Sequence, residues 1–435
     1  MKWFVYNVLF AVGYTLMLPK FLLRMLKRGG YGKGFMQRLA KYDDETLEKL
    51  RTKRRVWVHA VSVGEIYVAL NFVKRMREVN PSLSFVISTT TSTGHRVASD
   101  GMEPEDVLIY FPADFPGVVR RVLDIVNPLV LILTECELWP NIIRTASKRN
   151  VPVMMINGRI SDSSYRGYKK LKTFFGDVLS CFSIILVQTD EDSRKLREAG
   201  AEEKSIVVVG SSKFDIAMPD NSEQEKAGGL LKKAGMKEDD LILVGGSTWS
   251  GEEKILLEIY ARLKKKHNSL KLVLVPRHAE RRDEVEREIS KTGLVHVRRS
   301  ALDDGSKDFV STPDIFLVDT TGELMNFYSR ASVIFVGKSL TVHGGQNIIE
   351  PAMFGKPVVV GPNLENFAEA AELFLKEDAI IQVDDASGLE NKLDALLASD
   401  SMRASLGERA RKVVDKNRGA VGRSVEMIMK FIPRS

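Results

Sequence analysis

The sequence predicts an α/β protein: two Rossmann-like lobes facing a cleft, behind an N-terminal hydrophobic helix. Three observations carry this prediction. Fourteen short, largely β-branched apolar runs alternate with amphipathic helical segments. Continuous apolar runs of this kind suit strands buried on both faces of a parallel sheet, with the helices as right-handed crossovers. The alternation lapses once, between Pro219 and Asp240, and then restarts. Polar motifs follow the apolar runs in both halves, and ligands of doubly wound sheets bind beyond the carboxyl ends of the strands.

Length and composition agree. A chain of 435 residues exceeds one ordinary core and suits two domains. With 44% hydrophobic and 28% charged residues and no low-complexity tract, it is globular, and long disorder is excluded. The net charge of +7 fits an anionic membrane surface or an anionic substrate. A nucleic-acid partner is not expected, because no basic run carries interleaved aromatics. Cys136 and Cys181 show neither CxxC nor zinc-type spacing, so they read as free thiols.

The elements follow in order. Residues 1–33 read as a membrane anchor with a basic flank. Trp3 to Leu18 are almost all apolar, broken by Asn7 and Thr15, and Lys20, Arg24, Lys27, Arg28 and Lys33 follow. Spanning needs about 20 apolar residues, so the helix just crosses the bilayer, lies in its interface, or docks on the protein's own surface. The cations place the rest of the chain on the cytoplasmic side. Residues 34–218 form the first lobe, with strands expected at Val56–Val61, Ser84–Thr90, Val107–Phe111, Leu129–Thr134, Val151–Ile156, Ile184–Gln188 and Ile206–Val209. Residues 219–240 read as a linker with a short helix. Residues 241–435 form the second lobe, with strands at Leu241–Val244, Leu272–Val275, Val295–Arg298, Ile315–Val318, Val333–Val336, Pro357–Val360 and Ile380–Val383, then two helices between Ser401 and Phe431.

Seven polar motifs fall at strand ends. In His59-Ala-Val-Ser-Val-Gly-Glu65, Glu65 enters the first helical turn, where the helix N-terminus stabilises a carboxylate. Ser62 and Glu65 also have capping-box spacing, so a plain cap is an equal explanation. In Thr134-Glu-Cys-Glu-Leu-Trp-Pro140, two carboxylates leave a strongly apolar strand. Strand alternation puts Glu135 and Glu137 on one side and does not separate them. Gly210-Ser-Ser-Lys-Phe-Asp215 places Lys213 at the end of the first lobe. In the second lobe, Gly245-Gly-Ser-Thr-Trp-Ser-Gly-Glu-Glu253, Val275-Pro-Arg-His-Ala-Glu-Arg281, Asp319-Thr-Thr-Gly-Glu-Leu324 and His343-Gly-Gly-Gln-Asn-Ile-Ile-Glu350 put small residues, amides and charges at helix starts. Such starts favour anions, Arg277 suits a phosphate, and Glu350 suits a pair of sugar hydroxyls.

These strings, in this order and over nearly the whole chain, resemble the bacterial 3-deoxy-D-manno-octulosonic acid (Kdo) transferases of lipopolysaccharide synthesis. The resemblance implies a GT-B fold, an inverting transfer, no metal and no cofactor. It implies CMP-Kdo as donor, a lipid A precursor (lipid IVA) as acceptor, and the inner membrane as location. It implies Glu65 as proton acceptor and Glu135 and Lys213 as transition-state stabilisers. Pro276 and Arg277, then Thr321, Gly322 and Glu323, then Asn347, Ile348, Ile349 and Glu350 match its CMP-binding segments. Gln346, Lys338 and Cys136 depart from the usual residues, without touching the three central ones. Two other readings stay open: a GT-B transferase using another nucleotide sugar, and a non-catalytic membrane-bound nucleotide-binding protein. The number of Kdo residues added and the oligomeric state are not written in the sequence.

Overall fold

The computed structural model describes every residue except 29–31, 217, 304–311 and 434–435, and for 20–28 and 32–33 the backbone only. The side chains of Lys20, Arg24, Lys27, Arg28 and Lys33, the expected basic flank, therefore lie outside the described residues. The chain divides into two compact units, Met1–Asp215 with Arg418–Ser435, and Ile216–Asn417.

All fourteen expected runs are strands. In the first unit these are β1 (Val56–Ala60), β2 (Phe85–Thr89), β3 (Val107–Tyr110), β4 (Val130–Thr134), β5 (Val153–Gly158), β6 (Ile184–Val187) and β7 (Ile206–Val208). They form a parallel sheet in the order β3-β2-β1-β4-β5-β6-β7. Strand residues alternate between two cores. Trp57, Leu131, Leu133 and Met155 belong to one, and Val58, Ile132, Met154 and Ile156 to the other. Burial on both faces is why these strands read as unbroken apolar runs.

The second unit holds β8 (Leu241–Thr248), β9 (Leu270–Pro276), β10 (His296–Arg298), β11 (Ile315–Leu317), β12 (Val333–Val336), β13 (Val358–Val360) and β14 (Ile381–Gln382). The parallel order is β10-β11-β9-β8-β12-β13-β14. Each unit is a Rossmann-like α/β domain. Four of the eight described non-glycine residues with positive φ sit where strands end: Glu135 (φ 58°) after β4, Asn157 (52°) in β5, Ser247 (52°) in β8 and Lys338 (54°) after β12. Left-handed backbone at non-glycine residues costs of order 1–3 kcal/mol and concentrates at functional sites.

The expected domain boundaries need two corrections. The 241–435 lobe loses its end: the helix Ala420–Met429 packs Val421, Val425 and Ile428 into the core of the first unit. Their i, i+4, i+7 spacing makes one apolar stripe. The 219–240 segment contains the expected short helix but belongs to the second unit rather than joining the two. It forms the helix Asn221–Lys233, capped by Asp220 (Oδ1 accepting from the Glu223 amide, 2.8 Å), with Ala227 and Leu231 buried in the second unit.

The N-terminal segment is the helix Lys2–Arg28. No helix among the described residues is long and apolar enough to cross a membrane, so the spanning form of the expected anchor is not supported. One face of this helix docks on the first unit. Tyr6 donates to the buried Asp114 (2.8 Å), and Asn141 donates to Asn7 (2.7 Å). Trp3 meets Phe174 at 5.2 Å, Phe10 meets Phe115 at 5.1 Å, and the Arg144 guanidinium lies 4.2 Å over Trp3. The opposite face exposes Phe4, Val5, Val8, Leu9, Val12, Leu16 and Met17.

Candidate active site

In the first unit the chemistry gathers beyond β1 and β4. Ser62 caps the helix Val63–Val79, and the full capping box is present. Ser62 Oγ accepts from the Glu65 amide (3.3 Å), while the Glu65 carboxylate accepts from the Ser62 amide (3.2 Å) and the Val61 amide (2.9 Å). Both oxygens of Glu65 are thus held by backbone, which fixes the carboxylate at the end of β1. The cap and a site role are compatible, since a pinned side chain is pre-organised.

Glu135 keeps the ladder by donating its amide to the Ile156 carbonyl (2.9 Å), but its left-handed backbone ends the strand. Strand alternation therefore does not extend to Glu137. Glu137 receives the Trp139 indole N–H at 3.1 Å. Burial chiefly, and then the charges of Glu65 and Glu135, push its carboxyl up to about 7. β1 and β4 are neighbours in the sheet, so Glu65 at the end of one and Glu135 and Glu137 after the other lie at the same sheet edge, near enough for their charges to act on Glu137. Cys136 sits among them, and burial with the surrounding carboxylates pushes its thiol up to about 12, so it stays protonated. Both cysteines are free.

His59, one residue before the end of β1, is buried and stacked on Phe111 at 3.6 Å. Its Nδ1 faces the Ser88 carbonyl at 3.0 Å, which places the proton on Nδ1. Desolvation holds the ring down to about 3, so it is neutral. It supports the site floor rather than exchanging protons near neutrality.

Lys213 lies half-buried in the short turn Ser212–Phe214. Two flanking residues fix that turn. Ser212 donates its amide and hydroxyl to Asn157 Oδ1 (3.1 and 3.0 Å), at the end of β5. Asp215 accepts from the amides of Gly419 (2.5 Å) and Val421 (2.6 Å), at the start of the last helix. Sequence reasoning missed Asp215, whose partners lie some two hundred residues along the chain.

In the second unit, Pro276 closes β9, and the exposed Arg277 donates its amide to the Thr248 carbonyl (3.0 Å). Asn347 Nδ2 donates to Glu350 (3.1 Å), while its Oδ1 accepts from the Ile349 amide (2.9 Å). Burial raises the Glu350 carboxyl, opposed by Asn347 and by the Arg277 charge. Asn347 and Glu350 form one polar pair, beside the buried Ile348 and Ile349, and the Arg277 charge reaches it. Gly246 passes so close to Tyr328 that a Cβ would lie 2.2 Å from its hydroxyl. The Thr321, Gly322 and Glu323 segment turns at Gly322 (φ 87°), and Glu323 is engaged by Thr320 and by Arg299 (3.1 Å).

Three motif residues are architectural. Buried Glu252 accepts from the amides of Trp249 (2.9 Å), Lys338 (2.7 Å), Ser339 (3.0 Å) and Leu340 (2.9 Å), tying the loop after β8 to the loop after β12. Arg281 pairs with buried Glu253 (2.8 Å) and with Glu284 (2.7 Å). Lys338 lies 5.0 Å over the Trp249 ring. Among the described residues, no three His, Cys, Asp or Glu side chains are grouped to hold a metal ion.

Comparison with known proteins follows the same line. Residues 33–216 match the family model described as 3-deoxy-D-manno-octulosonic-acid transferase (kdotransferase). A 3-deoxy-D-manno-octulosonic acid transferase of Haemophilus influenzae is 30% identical over 99% of this chain and 99% of its own. One of Bordetella pertussis is 33% identical over 87% of each. A solved glycosyltransferase from Rickettsia africae, 14% identical, covers 88% of this chain and 100% of its own with a TM-score of 0.54, a likeness of fold. The chain belongs to the family of 3-deoxy-D-manno-octulosonic acid transferases and is a glycosyltransferase.

Proposed function

We propose that this transferase moves Kdo from CMP-Kdo to a hydroxyl of a lipid A precursor, lipid IVA, in lipopolysaccharide synthesis, by single displacement with inversion and without a metal. The observation that carries this reading is the gathering of Glu65, Glu135 and Glu137 at the ends of β1 and β4. Glu65 takes the acceptor proton as the sugar oxygen attacks the anomeric carbon, and the bond from that carbon to CMP breaks. Glu135 and Lys213 stabilise the charge that develops. Pro276, Arg277, the segment Thr321, Gly322 and Glu323, and Asn347 to Glu350 bind CMP, with Arg277 on the departing phosphate. The exposed apolar face of the first helix rests on the inner leaflet of the inner membrane, on the cytoplasmic side.

A second reading of the base has its own observation. General bases work best with a pKa near the working pH, and the carboxyl raised to about 7 belongs to Glu137. Incubating the protein with CMP-Kdo and tetra-acylated precursor, and weighing the product, tests the reaction. No mass gain, or equal use of a UDP-sugar, overturns it. Glu65→Gln is expected to lower kcat by about 10²–10⁴-fold. If Glu137→Gln does so instead, Glu137 is the base.

A further inference from the structure

We infer that the first unit carries a binding cavity for one hydrocarbon chain of the acceptor glycolipid, between the N-terminal helix and the ends of β2 and β3. The inference rests on the proposed lipid acceptor and adds where its chain goes. The cavity has a volume of 490 Å³, within the range of about 300–1,000 Å³ typical of small-ligand pockets. Leu9, Gly13 and Met17 line it from the helix, with Phe111 and Trp139 from the lobe. Arg38, Thr90 and the Tyr14 phenol add polar groups to a lining that is otherwise apolar.

Two features choose the occupant. First, Leu9 (65% exposed) and Met17 (74% exposed) line the cavity and also belong to the exposed apolar face of the helix. The cavity is thus continuous with the surface proposed to rest on lipid, and a chain enters from the bilayer without crossing water. Second, Trp139 joins the cavity to the reacting groups. Its ring lines the space while its indole N–H donates to Glu137 at 3.1 Å. A chain against one side of Trp139 leaves the sugar to which it is attached beside the carboxylates.

Gly13 makes the space. Residues 9, 13 and 17 stand one above another on a helix face, and a helix-interior glycine is unfavourable relative to alanine. A Cβ at Gly13 would meet nothing within 4 Å, so larger side chains enter the cavity without moving the backbone.

The test is the series Gly13→Ala, Gly13→Leu and Gly13→Phe in the full-length protein. Acceptor KM for the tetra-acylated precursor is expected to rise with side-chain size, to about tenfold for phenylalanine, equivalent to about 1.4 kcal/mol. The value of kcat and the KM for CMP-Kdo are expected to stay within about twofold, because one chain site is filled and the reacting groups are not. A second arm needs no catalysis. A precursor carrying a brominated chain should quench Trp139 fluorescence saturably, less so in Gly13→Phe, with Trp139→Phe identifying the signal. Unchanged KM across the series overturns the proposal, as does a fall in kcat at constant KM. If a brominated free fatty acid quenches and Gly13→Phe abolishes this while acceptor KM is unmoved, the cavity is a fatty-acid site and the proposal falls. If the wild type transfers to no lipid precursor, the reaction proposed above fails. The chain site then fails with it only if the brominated precursor also leaves Trp139 unquenched.

Discussion

At the scale of single residues, two groups with displaced acidities give opposite pH signatures. Glu137, raised to about 7 by burial and by the charges of Glu65 and Glu135, changes charge across the physiological range. If Glu137 is the base, the wild-type kcat/KM profile should carry an ionisation near 7 that Glu137→Gln removes. A profile that keeps that limb would assign it to another group. His59 acts on stability. Its folded value of about 3 lies below the ordinary 6.5, so between these the unfolded chain binds the extra proton. The contribution is complete above about 6.5 and is lost as pH falls towards 3, amounting to roughly 5 kcal/mol at one pKa unit per 1.36 kcal/mol. His59→Gln keeps a donor for Ser88 but does not titrate. Its urea midpoint should fall less than that of the wild type between pH 6.5 and 4. The cap at Glu65 was legible in Ser62-x-x-Glu65, because capping is local. The difference between Glu135 and Glu137 was not, because a left-handed turn at Glu135 cancels the alternation that sequence reading assumes.

At the scale of elements, every strand was legible, since each carries its own apolar run. The terminal helices were less so, because what they pack on is decided by distant residues. Helix Ala420–Met429 is fixed by Asp215, whose carboxylate takes the amides of Gly419 and Val421, and by Arg423, whose guanidinium donates to the Val209 carbonyl (2.5 Å). Hydrogen bonds to a charged group contribute about 1.5–3 kcal/mol each, so Asp215→Ala should destabilise the first unit by roughly 3 kcal/mol. Limited proteolysis should then cut first near Arg418, and a wild-type urea midpoint would refute the role. The same change loosens the turn that holds Lys213, so kcat should fall as well. At the other end, Asp114 holds the N-terminal helix through Tyr6 and accepts from the amides of Asn141 (2.8 Å) and Ile142 (2.9 Å). The string Leu-Trp-Pro-Asn is therefore as much a docking site for the first helix as a neighbour of the carboxylates.

At the scale of the whole molecule, the first helix does two separable things. Its inner face completes the first unit and walls the apolar cavity, and its outer face is an apolar stripe that monomeric proteins seldom leave bare. A basic, amphipathic N-terminus suits an anionic lipid surface, where cations add about 1 kcal/mol each. Deleting residues 1–33 should therefore abolish binding to anionic vesicles and also raise acceptor KM in detergent, because the cavity wall goes with it. Substituting only the outer face separates the two. Phe4 (73% exposed) and Leu16 (75% exposed) lie outside the cavity lining. Phe4→Asp with Leu16→Asp should reduce co-flotation with anionic vesicles by about tenfold or more, since burying each such side chain contributes about 1.5–3 kcal/mol. Transfer to detergent-dispersed acceptor should remain near wild type, because the inner face is untouched. If the double variant floats normally, the stripe is not the membrane face. If it floats poorly and also loses detergent activity, the outer face serves the fold or the site instead.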